Sequence, residues 1–190
     1  RILGLSLSVQ ALETCVTDAG EDVTLFYEQP ADPAAAVPTG TILVVQADGK
    51  GVPMVQPPTQ RPPVRLGKGQ KRGKKKEAVV TGLYTIAPSP RTPQEVVGAL
   101  LQEPGGPAPA ARPRPEGKEL RATLEGKAVA MRQLAQRVTQ REGPHLQQRV
   151  ALTDGAEALQ QQLISHFPEH TLVLDIIHAT EYVWDTANAL

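Results

Sequence analysis

Three short apolar runs of this chain each end at an aspartate, and this recurrence constrains the fold more than any other feature. Runs rich in β-branched and other apolar residues are typical of buried strands. The runs and the acids that follow them are residues 41–47 with Asp48, residues 150–153 with Asp154, and residues 172–174 with Asp175. Glycine directly follows the first two of these aspartates, which predicts a turn as the chain leaves the strand. We therefore expect carboxylates at strand ends, held in position by the strand and open to solvent at the turn.

Hydrophobic periodicity along the rest of the chain predicts a mixture of strands and helices. The predicted strands are residues 41–48, 77–86, 148–153 and 171–175, with a further return strand at 52–56. The predicted helices are residues 1–28, a short helix opened by a capping box at Thr92, Pro93 and Glu95, then 117–141 as the clearest helix, 155–165 and 178–190. Strands and helices that alternate late in the chain predict an α/β fold, in which a mixed sheet is flanked by helices.

Composition divides the chain into two parts. Residues 1–40 are predicted to be an N-terminal helical segment and linker, and residues 41–190 the main domain. Within this domain we expect a basic loop at 57–76 and a mobile Pro-rich insert at 104–116. We also expect the chain to be a fragment of a longer protein, because neither end carries a cap or a polar tail.

The positive charge is concentrated in one segment although the chain as a whole is balanced. Lys+Arg 20 and Asp+Glu 20 give a formal net charge of +0. Residues 61–76 contain no acidic residue and carry the cations Arg61, Arg65, Lys68, Lys71, Arg72, Lys74, Lys75 and Lys76. This concentration predicts a polyanionic partner held through its phosphates. A solvated charged loop or a localisation-type basic patch remains the alternative.

Cysteine content and hydropathy predict a cytoplasmic protein with no membrane partner. The single cysteine, Cys15, excludes an internal disulfide framework and fits a reducing compartment. No apolar stretch approaches the roughly 18–20 residues that a membrane span requires. We also expect no signal peptide at the start of the chain.

Asp48 and Asp154 form the main candidate site. Mg²⁺ and Mn²⁺ prefer hard oxygen ligands, and carboxylates that share such ions support in-line displacement at phosphorus. We therefore expect the two aspartates to lie side by side on neighbouring strands, as ligands of Mg²⁺ or Mn²⁺. Because Asp-Gly is also a common turn sequence, the residues alone leave both interpretations open.

Asp175 and His178 form an Asp-x-x-His unit just past a predicted strand. At this spacing both side chains share one face of a first helical turn. His178 is a candidate to ligate a metal, to donate to a phosphate or to orient Asp175. For this pair on its own we favour a simpler interpretation, in which Asp175 caps the following helix.

The motifs of this chain, in their order, resemble those of bacterial DDE-type insertion-sequence transposases of the Kra type, which are more distantly related to Mutator-like transposases. The resemblance covers nearly the whole chain. The matching stretches are residues 42–54 with Asp48-Gly49-Lys50-Gly51, the basic residues 65–76, Tyr84-Thr85-Ile86 with Arg91-Thr92-Pro93, residues 151–155, and residues 174–178. The first of these and the basic loop are the most specific.

The resemblance implies an RNase H-like catalytic core that performs DNA transposition with Mg²⁺ or Mn²⁺. Asp48 and Asp154 would match the family's first and second catalytic acids, with Asp175 and His178 as auxiliary residues. The implied activity is nicking at transposon ends followed by strand transfer into target DNA. Arg65, Lys68, Lys71, Arg72, Lys74, Lys75 and Lys76 would contact DNA, and the resemblance also admits a homo-oligomer in the full-length parent.

One family feature is missing from the sequence. The third acid, a Glu on a late helix, is expected well beyond His178, and Glu181 and Asp185 arrive too soon. We therefore expect this chain to be inactive or very weak as it stands. Two alternatives remain open: an RNase H-like nuclease of repair or recombination, and a non-catalytic DNA-binding remnant.

Overall fold

The computed structural model describes residues 8–29, 39–54, 75–100 and 111–189, and these form two compact units, Arg1–Val37 and Pro38–Leu190. The described part of the first unit consists of helix α1 (Val9–Glu21) and helix α2 (Val23–Glu28). Ser8 begins α1 by accepting a hydrogen bond from Ala11 N at 3.1 Å, as a helix N-cap does. Neither helix contains a buried residue.

The second unit is a mixed α/β structure built on one five-stranded sheet. Its elements are β1 (Ile42–Pro53), β2 (Lys75–Ile86), α3 (Pro93–Leu100), β3 (Glu116–Thr123), α4 (Lys127–Arg141), β4 (Gln148–Thr153), α5 (Glu157–His166), β5 (Thr171–Leu174) and α6 (Ile176–Asn188). The strand order is β3-β2-β1-β4-β5. The first three strands pair antiparallel, whereas β4 is parallel to β1 and β5 is parallel to β4. The mixed sheet expected from the sequence is therefore present.

The core lies between one face of the sheet and the pair of helices α4 and α5. Alternate residues of the central strands point to this face, because side chains alternate along a strand. The buried residues of this core include Leu43, Val45, Ala47, Val79, Leu83, Met131, Leu134, Leu159, Leu163 and Phe167. Asp48 follows the opposite parity of β1 and so lies on the face away from α4 and α5.

The first strand is longer than the sequence predicts. We expected a turn after Asp48, but β1 stays extended and paired with β2 as far as Pro53, opposite Lys75. Gly49 and Gly51 remain in the strand because their backbones pair with Val79 and Glu77 of β2. The space beside Gly49 is already filled, since a Cβ added there would meet Glu77 Oε1 at 2.8 Å. The predicted return strand at 52–56 is likewise wrong for its described residues, since Val52 and Pro53 belong to β1.

The helix predicted over 117–141 is correct only in its second half. Residues 116–123 form the strand β3, and α4 begins at Lys127 after Gly126, whose φ is 95°. Pairing with β2 outweighs the local helical spacing of the leucines, since β3 gains its backbone hydrogen bonds from a distant part of the chain. Arg141 of α4 holds this strand through Glu119 and the Gly117 carbonyl.

The other predicted elements agree well with the structure. β4 occupies residues 148–153 as predicted, and α3 begins with the predicted capping box. In that box Thr92 N donates to Glu95 Oε2 at 2.7 Å, and Glu95 N donates to Thr92 Oγ1 at 3.3 Å. Among the described residues, no helix is both long enough and apolar enough to cross a bilayer.

Candidate metal centre

Asp48 and Asp154 come to the same edge of the sheet, at matching positions of two adjacent strands. The parallel pairing of β1 with β4 runs from Ile42 opposite Gln148 to Gln46 opposite Leu152. Each aspartate lies two residues beyond this last pair. The parallel ladder thus brings two residues that are more than a hundred positions apart in the sequence to matching positions just past its last pair.

Asp48 is held by the backbone and has a free side chain. It lies inside β1, opposite Val80 of β2, so that the antiparallel pairing fixes its main chain. Its residue is exposed, and its carboxylate has no hydrogen-bond or ion-pair partner within the described parts of the chain. A carboxylate placed in this way keeps its oxygens available for an external ligand.

Asp154 is oriented by the turn that follows β4. Its Oδ1 accepts a hydrogen bond from Ala156 N at 2.9 Å, which is the geometry of an Asx turn. Gly155 makes this turn possible, since its φ of 98° lies in a region that favours glycine. A Cβ at Gly155 would also come within 3.3 Å of Leu174 and 3.4 Å of the Tyr182 hydroxyl. The turn interpretation of Asp-Gly therefore holds for Asp154, and the turn fixes the direction of its carboxylate.

Asp175 lies one strand further along the same edge. Leu174 pairs with Thr153, so Asp175 follows β5 as Asp154 follows β4. Its backbone N donates to Thr153 O at 2.8 Å. Its side chain, however, has local partners: Oδ1 accepts from Ile177 N at 2.9 Å and Oδ2 lies 3.4 Å from His178 Nδ1. The prediction that Asp175 caps the next helix is confirmed, and His178 is its neighbour.

The edge thus carries Asp48 and Asp154 at matching positions, with Asp175 engaged in capping α6. Within residues 8–29, 39–54, 75–100 and 111–189, no group of three or more His, Cys, Asp and Glu side chains is arranged to hold a metal. Mg²⁺ commonly takes only one or two protein carboxylates and completes its shell with water and substrate phosphate. Asp48 and Asp154 fit that pattern as hard oxygen donors at a solvent-exposed edge.

Most of the predicted DNA-binding cations lie outside the described residues. This applies to Arg65, Lys68, Lys71, Arg72 and Lys74. Lys75 and Lys76 are described, and both are exposed at the start of β2. They lie on the part of the β1–β2 pair that continues past Asp48, where β1 no longer pairs with β4.

Lys50 is a candidate that the sequence analysis did not identify. The glycines on either side of Lys50 predict a turn, whereas Lys50 is an exposed strand residue paired with Ala78. The signal that could have identified it is spacing: Lys50 follows Asp48 by two residues and therefore points to the same face once the strand continues.

Comparisons with known proteins do not add to this description. No protein-family model matches the chain, and neither the curated proteins nor the solved structures contain a match.

Proposed function

We propose that this chain is the RNase H-like core of a DDE-type transposase, in which Asp48 and Asp154 bind Mg²⁺ or Mn²⁺. The full-length parent would cleave DNA at transposon ends and transfer the freed strand into target DNA. The observation that carries the proposal is the matching position of the two aspartates, each two residues past the pair Gln46 and Leu152.

The sheet supports this proposal through its arrangement around the acids. A mixed sheet flanked by helices is the fold class that the resemblance implies. The first acid comes from the central strand β1 and the second from its parallel neighbour β4. Asp48 lies on the face away from α4 and α5, where it is exposed and can meet a large substrate.

The residues of the chain have simple roles in this proposal. Asp48 and Asp154 hold the ion, and the Asx turn at Asp154 keeps one carboxylate in a fixed orientation. When bound, Mg²⁺ would activate water or a 3′-hydroxyl as the nucleophile and stabilise the leaving oxygen at phosphorus. Asp175 supports the edge by capping α6, so its contribution to metal binding is indirect.

Mn²⁺ binding measured by electron paramagnetic resonance tests the proposal on the chain itself. We expect the wild type to bind Mn²⁺, and Asp48→Asn and Asp154→Asn each to lose that binding. Asparagine keeps the size of the side chain and can still accept the Ala156 hydrogen bond. Asp175→Asn is the matched control, since it removes a charge at the same edge but should leave binding intact. A wild type that binds no Mn²⁺, or variants that all bind equally, would rule out the site.

Nicking of supercoiled plasmid DNA with Mg²⁺ tests the chemistry separately. Because no third acid is assembled among the described residues, we expect weak nicking or none. Strong nicking that Asp48→Ala abolishes would show that two acids suffice, and would overturn the expected inactivity.

A non-catalytic DNA-binding protein is the second candidate. The observation that favours it is the lack of a three-residue metal group within the described ranges. It predicts no Mn²⁺ binding, and DNA affinity that is unchanged or higher in Asp48→Ala. Under the metal-site proposal, by contrast, Mg²⁺ should raise DNA affinity in the wild type and leave it unchanged in Asp48→Ala.

A further inference from the structure

The outer part of the β1–β2 pair forms a two-stranded ribbon, defined here as residues 50–53 with residues 75–78. β1 loses its β4 partner after Gln46, and the pairing of β2 with β3 reaches no further toward the ribbon than Val79. Every ribbon residue except Ala78 is exposed. The ribbon therefore extends from the sheet directly beyond Asp48, and α4 reaches it only on the opposite face, through the ion pair of Lys127 with Glu77.

The two faces of the ribbon carry different side chains. Strand alternation and the antiparallel pairing put Lys50 and Lys76 on the same face as Asp48, since Lys76 pairs with Val52. Lys75 and Glu77 belong to the opposite face. Two close approaches confirm that assignment: a Cβ at Gly51 would lie 3.1 Å from the Lys75 side chain, and one at Gly49 would lie 2.8 Å from that of Glu77.

The charges on the two faces are also satisfied differently. Glu77 on the opposite face forms an ion pair with Lys127 of α4. Lys50 and Lys76 have no ion-pair partner in the described part of the chain, although both are exposed. The face that carries Asp48 thus holds two cations, Lys50 and Lys76, in line with the acid and without an ion-pair partner among the described residues.

We infer that Lys50 and Lys76 bind the phosphate backbone of DNA and lead it along this face of the ribbon to Asp48. This inference rests on the proposed function. At about 3.4 Å per residue, Lys50 lies roughly 7 Å from Asp48 along the strand, and Lys76 roughly 14 Å. The spacing lets two successive contacts hold a backbone whose next phosphate reaches the acid. The occupant is a polyanion because unpaired lysines in a row favour one through counterion release.

The sequence that joins the two strands of the ribbon agrees in charge with this inference. Residues 55–74 carry basic residues without any acid and connect Met54 to Lys75. Strand register fixes the positions of Lys50 and Lys76 relative to Asp48.

The test compares two double variants with the same change in net charge. Lys50→Gln/Lys76→Gln removes the two cations of the Asp48 face, and Arg91→Gln/Arg132→Gln removes two exposed cations outside the ribbon, one just before α3 and one on the surface of α4. Binding to a fluorescent DNA duplex is measured by anisotropy between 50 and 200 mM NaCl.

We expect the first variant to bind duplex DNA roughly tenfold more weakly at 100 mM salt, with a salt slope smaller by about two phosphate contacts. The control variant should stay within about twofold of the wild type. Equal losses in both variants, or no loss in either, would overturn the inference, as would a wild type that does not bind DNA. Mn²⁺ binding is measured on the same proteins and should be unchanged in the first variant. A wild type that binds DNA but no Mn²⁺ would count against the metal site and not against the DNA-binding role of the two lysines.

Discussion

Asp48 and Asp154 lie level with one another, each two residues past the Gln46–Leu152 pair that ends the parallel part of the sheet. Asp48 lies inside β1, whereas Asp154 directly follows β4. Both carboxylates are hard oxygen donors of the kind that Mg²⁺ prefers. Under the proposed function, a divalent cation bound by both would link the stability of this edge to metal binding.

Magnesium should therefore stabilise the wild-type protein and not the Asp154→Asn variant. A ligand that binds only the folded state adds about 1.4 kcal/mol to the free energy of unfolding when its concentration is ten times Kd. Urea unfolding followed by circular dichroism, with and without MgCl₂, measures this difference. Asp175→Asn should show the wild-type response. Equal stabilisation of wild type and Asp154→Asn would mean that Mg²⁺ acts elsewhere on the protein.

Loss of the Asp175 cap should loosen α6 and leave the metal site in place. Asp175 accepts the Ile177 N hydrogen bond at 2.9 Å, so Asp175→Ala removes an N-cap worth about 1 kcal/mol. Hydrogen exchange of the α6 amides should become faster by about fivefold, while Asp175→Asn should retain most of the protection. If Asp175→Asn exchanged as fast as Asp175→Ala, the carboxylate charge near His178 would matter more than the cap.

Arg137 should contribute strongly to the attachment of β3 and α4 to the sheet. It is only 7% exposed, donates to Thr81 Oγ1 at 2.6 Å and lies 3.8 Å from Glu119. Arg137→Met keeps much of the apolar stem but leaves Thr81 without this donor, which should lower the free energy of unfolding by about 1–3 kcal/mol. Arg132→Met, at an exposed position of the same helix, should change it by less than about 0.5 kcal/mol. Chemical denaturation of both variants distinguishes a structural arginine from a surface one.

The elements that the sequence predicts well are those whose stability is local or purely apolar. β4 is recognisable because the apolar residues Val150, Ala151 and Leu152 directly precede Thr153 and the Asp-Gly turn, and α3 because Thr92 and Glu95 cap each other. The sequence does not reveal β3 as a strand. Glu116–Thr123 is strongly charged, and the spacing between Leu120 and Leu124 is typical of a helix. Its conformation depends on pairing with β2 and on Arg141, neither of which lies nearby in the sequence.

The candidate site shows the same division between local and distant information. Apolar runs that end in aspartate predict carboxylates at the ends of strands. The Asp-Gly sequence also predicts the turn at Asp154. The sequence predicts that Asp48 and Asp154 follow neighbouring strands, but their matching positions depend on the β1–β4 register, which no local residue determines. The sequence does not predict that Lys50 lies in a strand, because Gly49 and Gly51 suggest a turn. The pairing with β2 keeps this part of β1 extended.

His170 should make the folded protein less stable in mild acid. Both of its ring nitrogens are buried without a hydrogen-bond partner in the described structure. Burial lowers the pKa of His170 from its usual 6.5, and Arg149 lowers it further, whereas Glu142 and Glu169 act in the opposite direction. The unfolded chain therefore takes up this proton more readily than the folded protein. The stabilisation is complete above about pH 6.5 and falls as the pH drops from there toward the lowered pKa.

Urea unfolding at several pH values between 7.5 and 5 measures this dependence. We expect the free energy of unfolding to decrease over that range in the wild type and to decrease less steeply in His170→Gln, whatever the stability of that variant at pH 7.5. His145→Gln, at an exposed position, is the control and should keep the wild-type slope. Glu142 does not contribute to this slope, because the hydrogen bond from Arg149 lowers its pKa from the usual 4.5 and that stabilisation is lost only below the range measured. A His170→Gln slope equal to that of the wild type would show that the folded protein accepts the His170 proton without cost.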